Sequence, residues 1–299
     1  MYDTEICYLN DYIIFNKSYV LKRKKLHVMI IKLILIIAIF YEILNTLGRI
    51  IFMKLQQLLS YTRKAIDEYG MIEENDKIAI GISGGKDSLT LLYALAHLRY
   101  FYPKKFEIIA VTVDLGFQNL NLDKIQELCD ELKVEYHIIK TDIAEVVFNV
   151  RNETNPCSLC AKMRKGALND KVKELGCNKV AYAHHKDDLI ETMMMSLIFE
   201  GRLHTFSPVT FLDRSGLTLI RPLMFLYEGD VKGFVEANNL PVVKSPCPVD
   251  GTTKREYAKD LVNQLNYEHP GTKARMFRAI INGLVNPNCP PASERDSEK

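Results

Sequence analysis

The chain of 299 residues has no tryptophan, few glycines and prolines, and almost no excess of charge of either sign. Fifteen glycines and eleven prolines exclude a collagen-like or low-complexity chain. Seven cysteines at irregular positions do not form a secreted disulfide framework, so a reducing compartment, the cytoplasm, is expected. A net charge of +2 means that any polyanionic partner must meet a local basic patch.

A membrane-spanning apolar run is also missing. The most apolar stretch, Val28–Tyr41, is interrupted by Lys32 and is shorter than the ~20 residues that cross a bilayer. A long polar lead and the lack of an Ala-x-Ala site disfavour a signal peptide. We predict that residues 1–52 are an extension outside the core and that translation begins at Met53. A membrane anchor that recruits the turns up to Phe52 is the disfavoured alternative.

From Met53 onward, short apolar runs alternate with helical periods. Ile78, Ile80 and Ile82 alternate with small residues as in a strand, and a leucine-rich helical face follows. Further strand-like runs lie at residues 108–113, 134–139, 180–183 and 217–221. Enough residues separate these runs for crossover helices, so we predict an α/β fold with a doubly wound parallel sheet.

The same pattern predicts the division of the chain. We expect a nucleotide-binding domain over residues 53–225 and a smaller C-terminal helical part over 226–286. The tail, 287–299, is rich in proline, serine and charge and is predicted to be disordered. Ligands of such sheets bind at the carboxyl ends of the strands, so motifs directly after strands are the candidates for function.

The first strand is followed by a loop suited to phosphate. Its residues are Ser83, Gly84, Gly85, Lys86, Asp87 and Ser88. The two glycines allow backbone N–H groups to close around an anion, and the N-terminus of the following helix adds partial positive charge. Side chains of Ser83, Lys86 and Ser88 can donate to phosphate oxygens. A glycine turn with a capping serine is the alternative, but the loop lies where a parallel sheet binds nucleotide.

Acidic residues follow two other strands. Asp114 ends the second strand, and Asp187 and Asp188 come after His184 and His185 at the end of a later one. Paired carboxylates are ligands that Mg²⁺ prefers. For Asp187 we favour this role, whereas for Asp188 complementing a helix dipole is equally compatible. The two histidines fit packing or capping at the strand end.

Three cysteines stand apart from the other four. Cys157 and Cys160 open a helix that carries Lys162, Arg164 and Lys165, and Cys247 follows much later between two prolines. A basic helix N-terminus lowers thiol pKa and favours metal or sulfur chemistry. A redox dithiol or a structural zinc site is the alternative, but structural zinc requires four ligands and we count three.

The loop resembles the PP-loop of the N-type ATP pyrophosphatases, whose fold is of the adenine nucleotide alpha hydrolase-like type. The ordered set of phosphate loop, Pro-Cys-x-x-Cys, His-His-x-Asp-Asp, Ile220-Arg221-Pro222-Leu223 and late Cys247 resembles the tRNA 2-thiocytidine synthetase (TtcA-like) family. The resemblance covers roughly residues 53–283. The residues after Cys247 differ from the Gly-Ser-Gln of family members, which leaves the target nucleotide open.

The resemblance implies a set of cofactors and roles. ATP and Mg²⁺ would bind at the phosphate loop, with the adenosine near Asp114 and with Lys86, Arg164 and Asp187 as catalytic residues. A 4Fe-4S cluster would be held by Cys157, Cys160 and Cys247, with one iron lacking a protein ligand. The reaction would adenylate a cytidine of the tRNA anticodon loop, position 32, and replace its C2 oxygen with sulfur. A cysteine desulfurase or another sulfide source and a homodimer are further expectations.

Two other functions stay open from the residues alone. One is another adenylating PP-loop enzyme, of the lysidine or small-molecule amidation type, and the other is a nucleotide-binding Fe-S protein without turnover. The first of these would not need three converging cysteines. The charges alone favour RNA contact only slightly over a solvated mixed surface. The candidate RNA contacts are the helix over residues 162–173 and the C-terminal Lys254, Arg255, Lys259, Lys273, Arg275 and Arg278.

Overall fold

The computed structural model describes residues 55–117, 121–151, 156–244, 246–247 and 254–285. The predictions for the extension 1–52, for a start at Met53 and for the tail 287–299 concern residues outside these ranges.

One six-stranded sheet organises the described residues, in the order β3-β2-β1-β4-β6-β5. The strands are β1 (Asp76–Gly81), β2 (Phe106–Asp114), β3 (Glu135–Lys140), β4 (Lys179–Ala181), β5 (Val209–Leu212) and β6 (Leu217–Ile220). β1 pairs in parallel with both β2 and β4. β2 and β3 lie on one side of β1 and the later strands on the other, so the strand order changes direction at β1. The carboxyl ends of β1 and β4 therefore border the crevice where open α/β sheets bind ligands.

The predicted α/β class is confirmed, but the sheet is mixed and not wholly parallel. β5 is antiparallel to β6 and forms the outer edge. β5 is not apparent from the sequence, because its four residues are too few to reveal a period and they follow Pro208. The turn to β6 contains Gly216 with φ +67°, the left-handed conformation that glycine adopts without strain.

Helices cover both faces of the sheet. They are α1 (55–68), α2 (Lys86–Leu98), α3 (Asp123–Glu131), α4 (Ile143–Glu145, continued as a π-helix over Val146–Val150), α5 (Pro156–Glu174), α6 (Lys186–Glu200), α7 (Glu228–Ala237), α8 (Lys254–Glu268) and α9 (Thr272–Ile280, continued as a π-helix over Ile281–Val285). In the described part of the chain, no helix is long and apolar enough to cross a membrane.

Successive side chains of β1 point to opposite faces of the sheet and so enter two different cores. Ile78 and Ile80 enter the larger core, whereas Ala79 enters a smaller one with Leu168 and Val172 of α5. The larger core also contains buried side chains of the C-terminal helices: Val231, Phe234, Ala258, Val262 and Ile280. α7, α8 and α9 thus pack into the same core as the sheet.

Candidate functional site

The phosphate loop begins directly after hydrogen bonds that join the end of β1 to β2. The amide of Ile82 donates to the carbonyl of Val111 at 2.8 Å, and the Thr112 hydroxyl donates to the carbonyl of Ile82 at 3.0 Å. Inside the loop, Ser83 Oγ lies 3.2 Å from Ser88 Oγ, which donates to the Gly85 carbonyl at 2.9 Å. These bonds fold the loop before any ligand is present, which reduces the entropy lost when an anion binds.

Gly84 joins this loop to the C-terminal part of the chain. Its φ is +80°, and a Cβ placed there would lie 3.2 Å from Cβ of Val243. The Gly84 carbonyl accepts a 2.9 Å hydrogen bond from the amide of Val243. Because Cys247 lies only four residues further along, this bond places the segment of the late cysteine beside the phosphate loop.

The charges at the start of α2 are linked to α7. Lys86 Nζ lies 3.1 Å from Asp87 Oδ2 and 3.1 Å from Glu228 Oε1. Burial favours a higher pKa for Glu228, but its hydrogen bond to Lys86 and the charges of Lys86 and Lys259 outweigh burial and lower that pKa to about 2. Glu228 therefore remains an anion facing the phosphate-loop lysine.

The two aspartates after β4 have different surroundings. Asp187 is buried, and its oxygens lie 2.7 Å from Lys273 Nζ and 2.8 Å from the amide of Glu228. Asp188 forms a reciprocal N-terminal cap with His185, accepting from the His185 amide at 2.9 Å. It also lies 3.1 Å from Nη1 of Arg255. The capping interpretation thus describes Asp188 and His185, whereas Asp187 connects α6 to α7 and α9.

Asp114 ends β2 at the same edge of the sheet. Its Oδ1 accepts a 3.0 Å bond from the amide of Gly116, and its side chain is half-buried. Its backbone carbonyl accepts from the amide and hydroxyl of Thr141 at 3.0 and 2.7 Å, which fixes the turn after the strand. One carboxylate oxygen is therefore held by the turn, and the group remains at the surface of the crevice.

The cysteines on α5 are at its first turns. Cys157 is exposed and Cys160 is half-buried. Burial raises the pKa of the Cys160 thiol, Arg164 lowers it, and Cys247 and Cys157 raise it further. The thiols of Cys157 and Cys247 are thus both within electrostatic range of Cys160. The expectation that the basic helix lowers thiol pKa is wrong for Cys160, because desolvation outweighs the charge of Arg164.

The chemistry of the three cysteines agrees with an iron–sulfur cluster. In a cubane cluster each thiolate binds a different iron, so the sulfurs need to surround a larger body. Thiolates are the ligands that iron–sulfur clusters use. Cys157, Cys160 and Cys247 therefore fit a 4Fe-4S cluster.

A carboxylate oxygen at the phosphate loop is available to a cation. Asp87 Oδ1 is buried and has no hydrogen-bond partner among the described residues; the nearest ring nitrogen, His185 Nε2, is 3.6 Å away. Mg²⁺ commonly takes one or two protein carboxylates and completes its shell with phosphate oxygens and water. Asp87 fits a Mg²⁺ that arrives with a nucleotide. Asp187 is connected to the same loop through Glu228, whose amide donates to Asp187 and whose carboxylate pairs with Lys86.

Aromatic side chains pack around the buried Arg221 at the ends of β4 and β6, and the sequence alone gives this group no role. Arg221 donates through Nε to His184 Nδ1 at 3.1 Å and lies 4.7 Å from the ring centre of Phe206. Burial lowers the pKa of His184 to about 4 and that of Arg221 to about 10, so at neutral pH the histidine is neutral and the arginine charged. Arg221 was noted only as part of the Ile-Arg-Pro-Leu segment, and no local signal marks Phe206.

Three of the six C-terminal cations considered as RNA contacts are paired with acidic side chains of the protein. Arg255 pairs with Asp188 and Glu191, Lys259 pairs with Glu228 at 3.2 Å, and Lys273 with Asp187. A neighbouring cavity of about 380 Å³ is lined by residues of the same network. Its lining residues are Asp187, Tyr227, Glu228, Gly229, Asn266, Gly271, Lys273 and Ala274.

The basic residues at the start of α5 are not part of this network of ion pairs. Lys162, Arg164 and Lys165 are exposed, and within the described residues no carboxylate lies at ion-pair distance from any of them. They lie next to the Cys157–Cys160 turn. An exposed, unneutralised basic surface therefore borders the cysteine site.

The loop and the sheet define a nucleotide-binding α/β protein, with the three candidate cysteines on α5 and in the segment that adjoins its phosphate loop. Residues 53–265 match the family model of the PP-loop domain. The tRNA-cytidine(32) 2-sulfurtransferase of Geobacter sulfurreducens is 37% identical over 222 residues, which covers 73% of this chain and 86% of that protein. The protein of the same name from Geotalea daltonii is 39% identical and is covered to 88%. The chain belongs to the PP-loop family and, within it, to the family of tRNA-cytidine(32) 2-sulfurtransferases.

A solved structure supports the same assignment. The U34-tRNA thiolase NcsA from Methanococcus maripaludis, determined with its 4Fe-4S cluster, superposes with a TM-score of 0.63 at 28% sequence identity. The match covers 75% of this chain and 76% of that one. The family resemblance predicted from the motifs is confirmed.

Proposed function

We propose that the protein is an ATP-dependent tRNA sulfurtransferase that replaces the C2 oxygen of a cytidine with sulfur and releases AMP and pyrophosphate. The names of its relatives specify cytidine 32, and we propose the same target here. The enzyme would use ATP, Mg²⁺ and a 4Fe-4S cluster, as the cluster-containing thiolase of similar structure suggests.

One observation carries the proposal: the hydrogen bond from the Val243 amide to the Gly84 carbonyl. It attaches the segment that leads to Cys247 directly to the phosphate loop. Cys247 and Cys157 in turn both influence the Cys160 thiol. These two observations support our proposal that an anion-binding loop and a trio of sulfur ligands border one crevice, as a reaction needs when one base must meet both ATP and sulfur.

In the nucleotide half, we assign the triphosphate to Ser83, Gly84, Gly85, Lys86, Asp87 and Ser88. Lys86 would leave its acidic partners for the phosphates, and Asp87 and Asp187 would hold Mg²⁺. Asp114, at the end of the neighbouring strand, would face the adenosine. Fixed positive charge at the phosphates stabilises the charge that develops as pyrophosphate leaves.

In the sulfur half, Cys157, Cys160 and Cys247 would hold the cluster. When bound, the cluster supplies an iron without a protein thiolate, where inorganic sulfide can be carried. Arg164 would lie beside the sulfur half, since it follows Cys160 by four residues on α5 and its charge reaches both Cys160 and Tyr182. The structure thus supports a role for Arg164 in binding negative charge near the base.

The chemistry overcomes a poor leaving group. The C2 oxygen of the base would attack the α-phosphorus of ATP, and the bond to the β-phosphate would break to release pyrophosphate. Sulfide would then add to C2, and the C2–O bond would break with the oxygen leaving in AMP. No net oxidation or reduction occurs, so only ATP and sulfide are consumed. Lys86 and the loop amides would stabilise the leaving pyrophosphate.

The RNA must present an unstacked base. A loop nucleotide of tRNA meets this condition, because loop bases can be turned out at low cost. We propose that the exposed cations of α5 contact the tRNA backbone, in preference to the paired cations of α8 and α9. A cysteine desulfurase or another donor in the cytoplasm would supply the sulfide, and a homodimer remains a prediction.

The products test the reaction. Purified anaerobically with its cluster and given unmodified tRNA, ATP and sulfide, the protein should form AMP, pyrophosphate and 2-thiocytidine, which nucleoside mass spectrometry detects. Formation of ADP and orthophosphate would contradict the mechanism. Loss of 2-thiocytidine from the tRNA of a deletion strain would assign the activity in the cell.

The cysteine assignment is tested by Cys247→Ala. We expect iron content and the cluster absorption to fall to background and thiolation to stop, because two remaining thiolates cannot retain the cluster. Cys177→Ala, which removes a buried thiol from the smaller core, is the matched control and should keep its iron. Full iron content in Cys247→Ala would refute the assignment.

A further inference from the structure

Three partly exposed rings surround the guanidinium of Arg221 at the ends of β4 and β6. The ring of His184 is 5.8 Å from that of Tyr182, edge to face, and 4.6 Å from that of Phe206. Arg221 itself is buried, with 6% of its surface exposed. We call Tyr182, His184, Phe206 and Arg221 the aromatic–arginine cluster.

The guanidinium has no acidic counterpart. In the part of the chain that the structure describes, Arg221 donates only to neutral acceptors, namely His184 Nδ1, the Ser207 carbonyl and the Thr210 hydroxyl. Among the described residues Nη2 of Arg221 has no hydrogen-bond acceptor, and this atom is not one of the fully buried polar atoms that lack a partner, so it is accessible to solvent. A buried cation normally requires a partner to offset its desolvation, so this one is suited to a ligand with acceptor atoms.

The cluster lies between the two halves of the proposed site. A Cβ at Gly81 would meet Leu168 of α5 at 3.4 Å and the Tyr182 ring at 3.5 Å, so this ring packs at the end of β1 beside the cysteine helix. Arg164 influences the pKa of both Tyr182 and Cys160. On the other side, His184 precedes His185, whose Nε2 is 3.6 Å from Asp87 of the phosphate loop.

We infer that the aromatic–arginine cluster is the receptor for the pyrimidine base of the target nucleotide. The inference rests on the proposed function. Aromatic faces stack on an unstacked base, which is how proteins hold single-stranded nucleotides. Arg221 Nη2 offers donors only. Cytosine presents two adjacent acceptors, O2 and N3, whereas N3 of uracil is itself a donor, so the cluster suits cytosine and disfavours uracil.

The first test compares two phenylalanines. Phe206→Leu removes a ring of the cluster but keeps an apolar side chain, and Phe211→Leu makes the same change at an exposed position on β5. With an anticodon stem-loop RNA that carries the target cytidine, Phe206→Leu should raise the KM for RNA by about tenfold. ATP binding and the cluster spectrum should not change, and Phe211→Leu should match the wild type in all three measurements. Equal KM values for the two variants would overturn the inference.

The second test does not depend on turnover. The same RNA with 5-iodocytidine at the target position is irradiated with the intact protein, and the cross-linked peptide is identified by mass spectrometry. Attachment at Tyr182, His184 or Phe206 supports the inference, and attachment confined to other peptides overturns it. A wild type that cross-links at the cluster yet forms no AMP would refute the proposed reaction and leave the base receptor standing, so the two failures are distinguishable.

Arg221→Lys examines the donor group separately. The lysine keeps the positive charge but removes the Nη2 donors, so the preference for cytidine over uridine at the target position should shrink while the iron content stays. An unchanged preference would contradict the role of Arg221 in reading the base. Because Arg221 is buried, ATP binding and iron content are measured first, and Phe206→Leu decides the matter if this variant does not fold.

Discussion

At the scale of the residue, the buried carboxyl of Glu191 should make stability depend on pH. Burial raises the pKa of Glu191, Asp188 raises it further, and Arg255 and Lys259 only partly oppose them, so the pKa is about 7 against an ordinary 4.5. The folded state therefore binds the proton more tightly than the unfolded state. Stability associated with this group is complete below pH 4.5 and is lost as pH rises towards 7.

Glu191→Gln, which mimics the protonated form, should raise the Tm at pH 8 and leave it unchanged at pH 4.5 or below. Thermal melts across this range, followed by circular dichroism, measure the difference. Glu131→Gln, an exposed position on α3, serves as the control and should show no such trend. A lower Tm for Glu191→Gln at pH 8 would mean that the interaction with Arg255 outweighs the burial of the carboxyl.

The residues that sequence could predict are those whose chemistry is contained in a short segment. The phosphate loop, the Cys157–Cys160 pair and the acids after β4 were each identified because neighbours in sequence are also neighbours in the loop. Arg255, Lys259 and Lys273 could not be assigned in this way. Which acid a lysine faces depends on how α8 and α9 pack against α6, and composition does not contain that information.

At the scale of the element, replacing two glycines by alanine should have opposite effects on the free energy of unfolding. Gly84 has φ +80°, and an added Cβ would lie 3.2 Å from Cβ of Val243. Gly84→Ala should therefore lower the free energy of unfolding by about 1–2 kcal/mol and weaken ATP binding. Gly233 lies within α7 with nothing within 4 Å of an added Cβ, so Gly233→Ala should stabilise by ~0.5–1 kcal/mol. Urea unfolding measures both. Equal effects of the two changes would show that the loop conformation is not constrained.

The elements themselves were largely predictable, with one instructive exception. Five strands were identified from their apolar runs, because buried parallel strands are nearly continuous in hydrophobicity. β5 was missed, and with it the hairpin that brings Phe206 to the ends of β4 and β6. The aromatic–arginine cluster depends on this hairpin and also on the pairing of β4 with β6, for example of Val180 with Leu219, which are far apart in the chain, so no local pattern could reveal it.

At the scale of the whole molecule, the described residues from 55 onward form one compact unit. α7, α8 and α9 bury side chains in the same core as β1 and α2. Hydrogen exchange should therefore find that the slowest amides of α8 and of β1 open with similar free energies, close to that of global unfolding. Much faster exchange throughout α8 would instead show that the C-terminal helical part predicted for residues 226–286 opens independently of the sheet.

The antiparallel direction of β5 has a consequence for how such an enzyme can diversify. Its first residue, Val209, pairs with Ile220 at the end of β6, so the connection over residues 201–208 arrives at the reactive edge of the sheet. This connection lies between α6 and the edge strand β5, within the crossover from β4 to β6, and contains no strand itself. Insertions or exchanges there would alter which nucleotide is accepted while the ATP-binding framework stays intact, and descendants of one ancestral scaffold could thereby acquire different RNA targets.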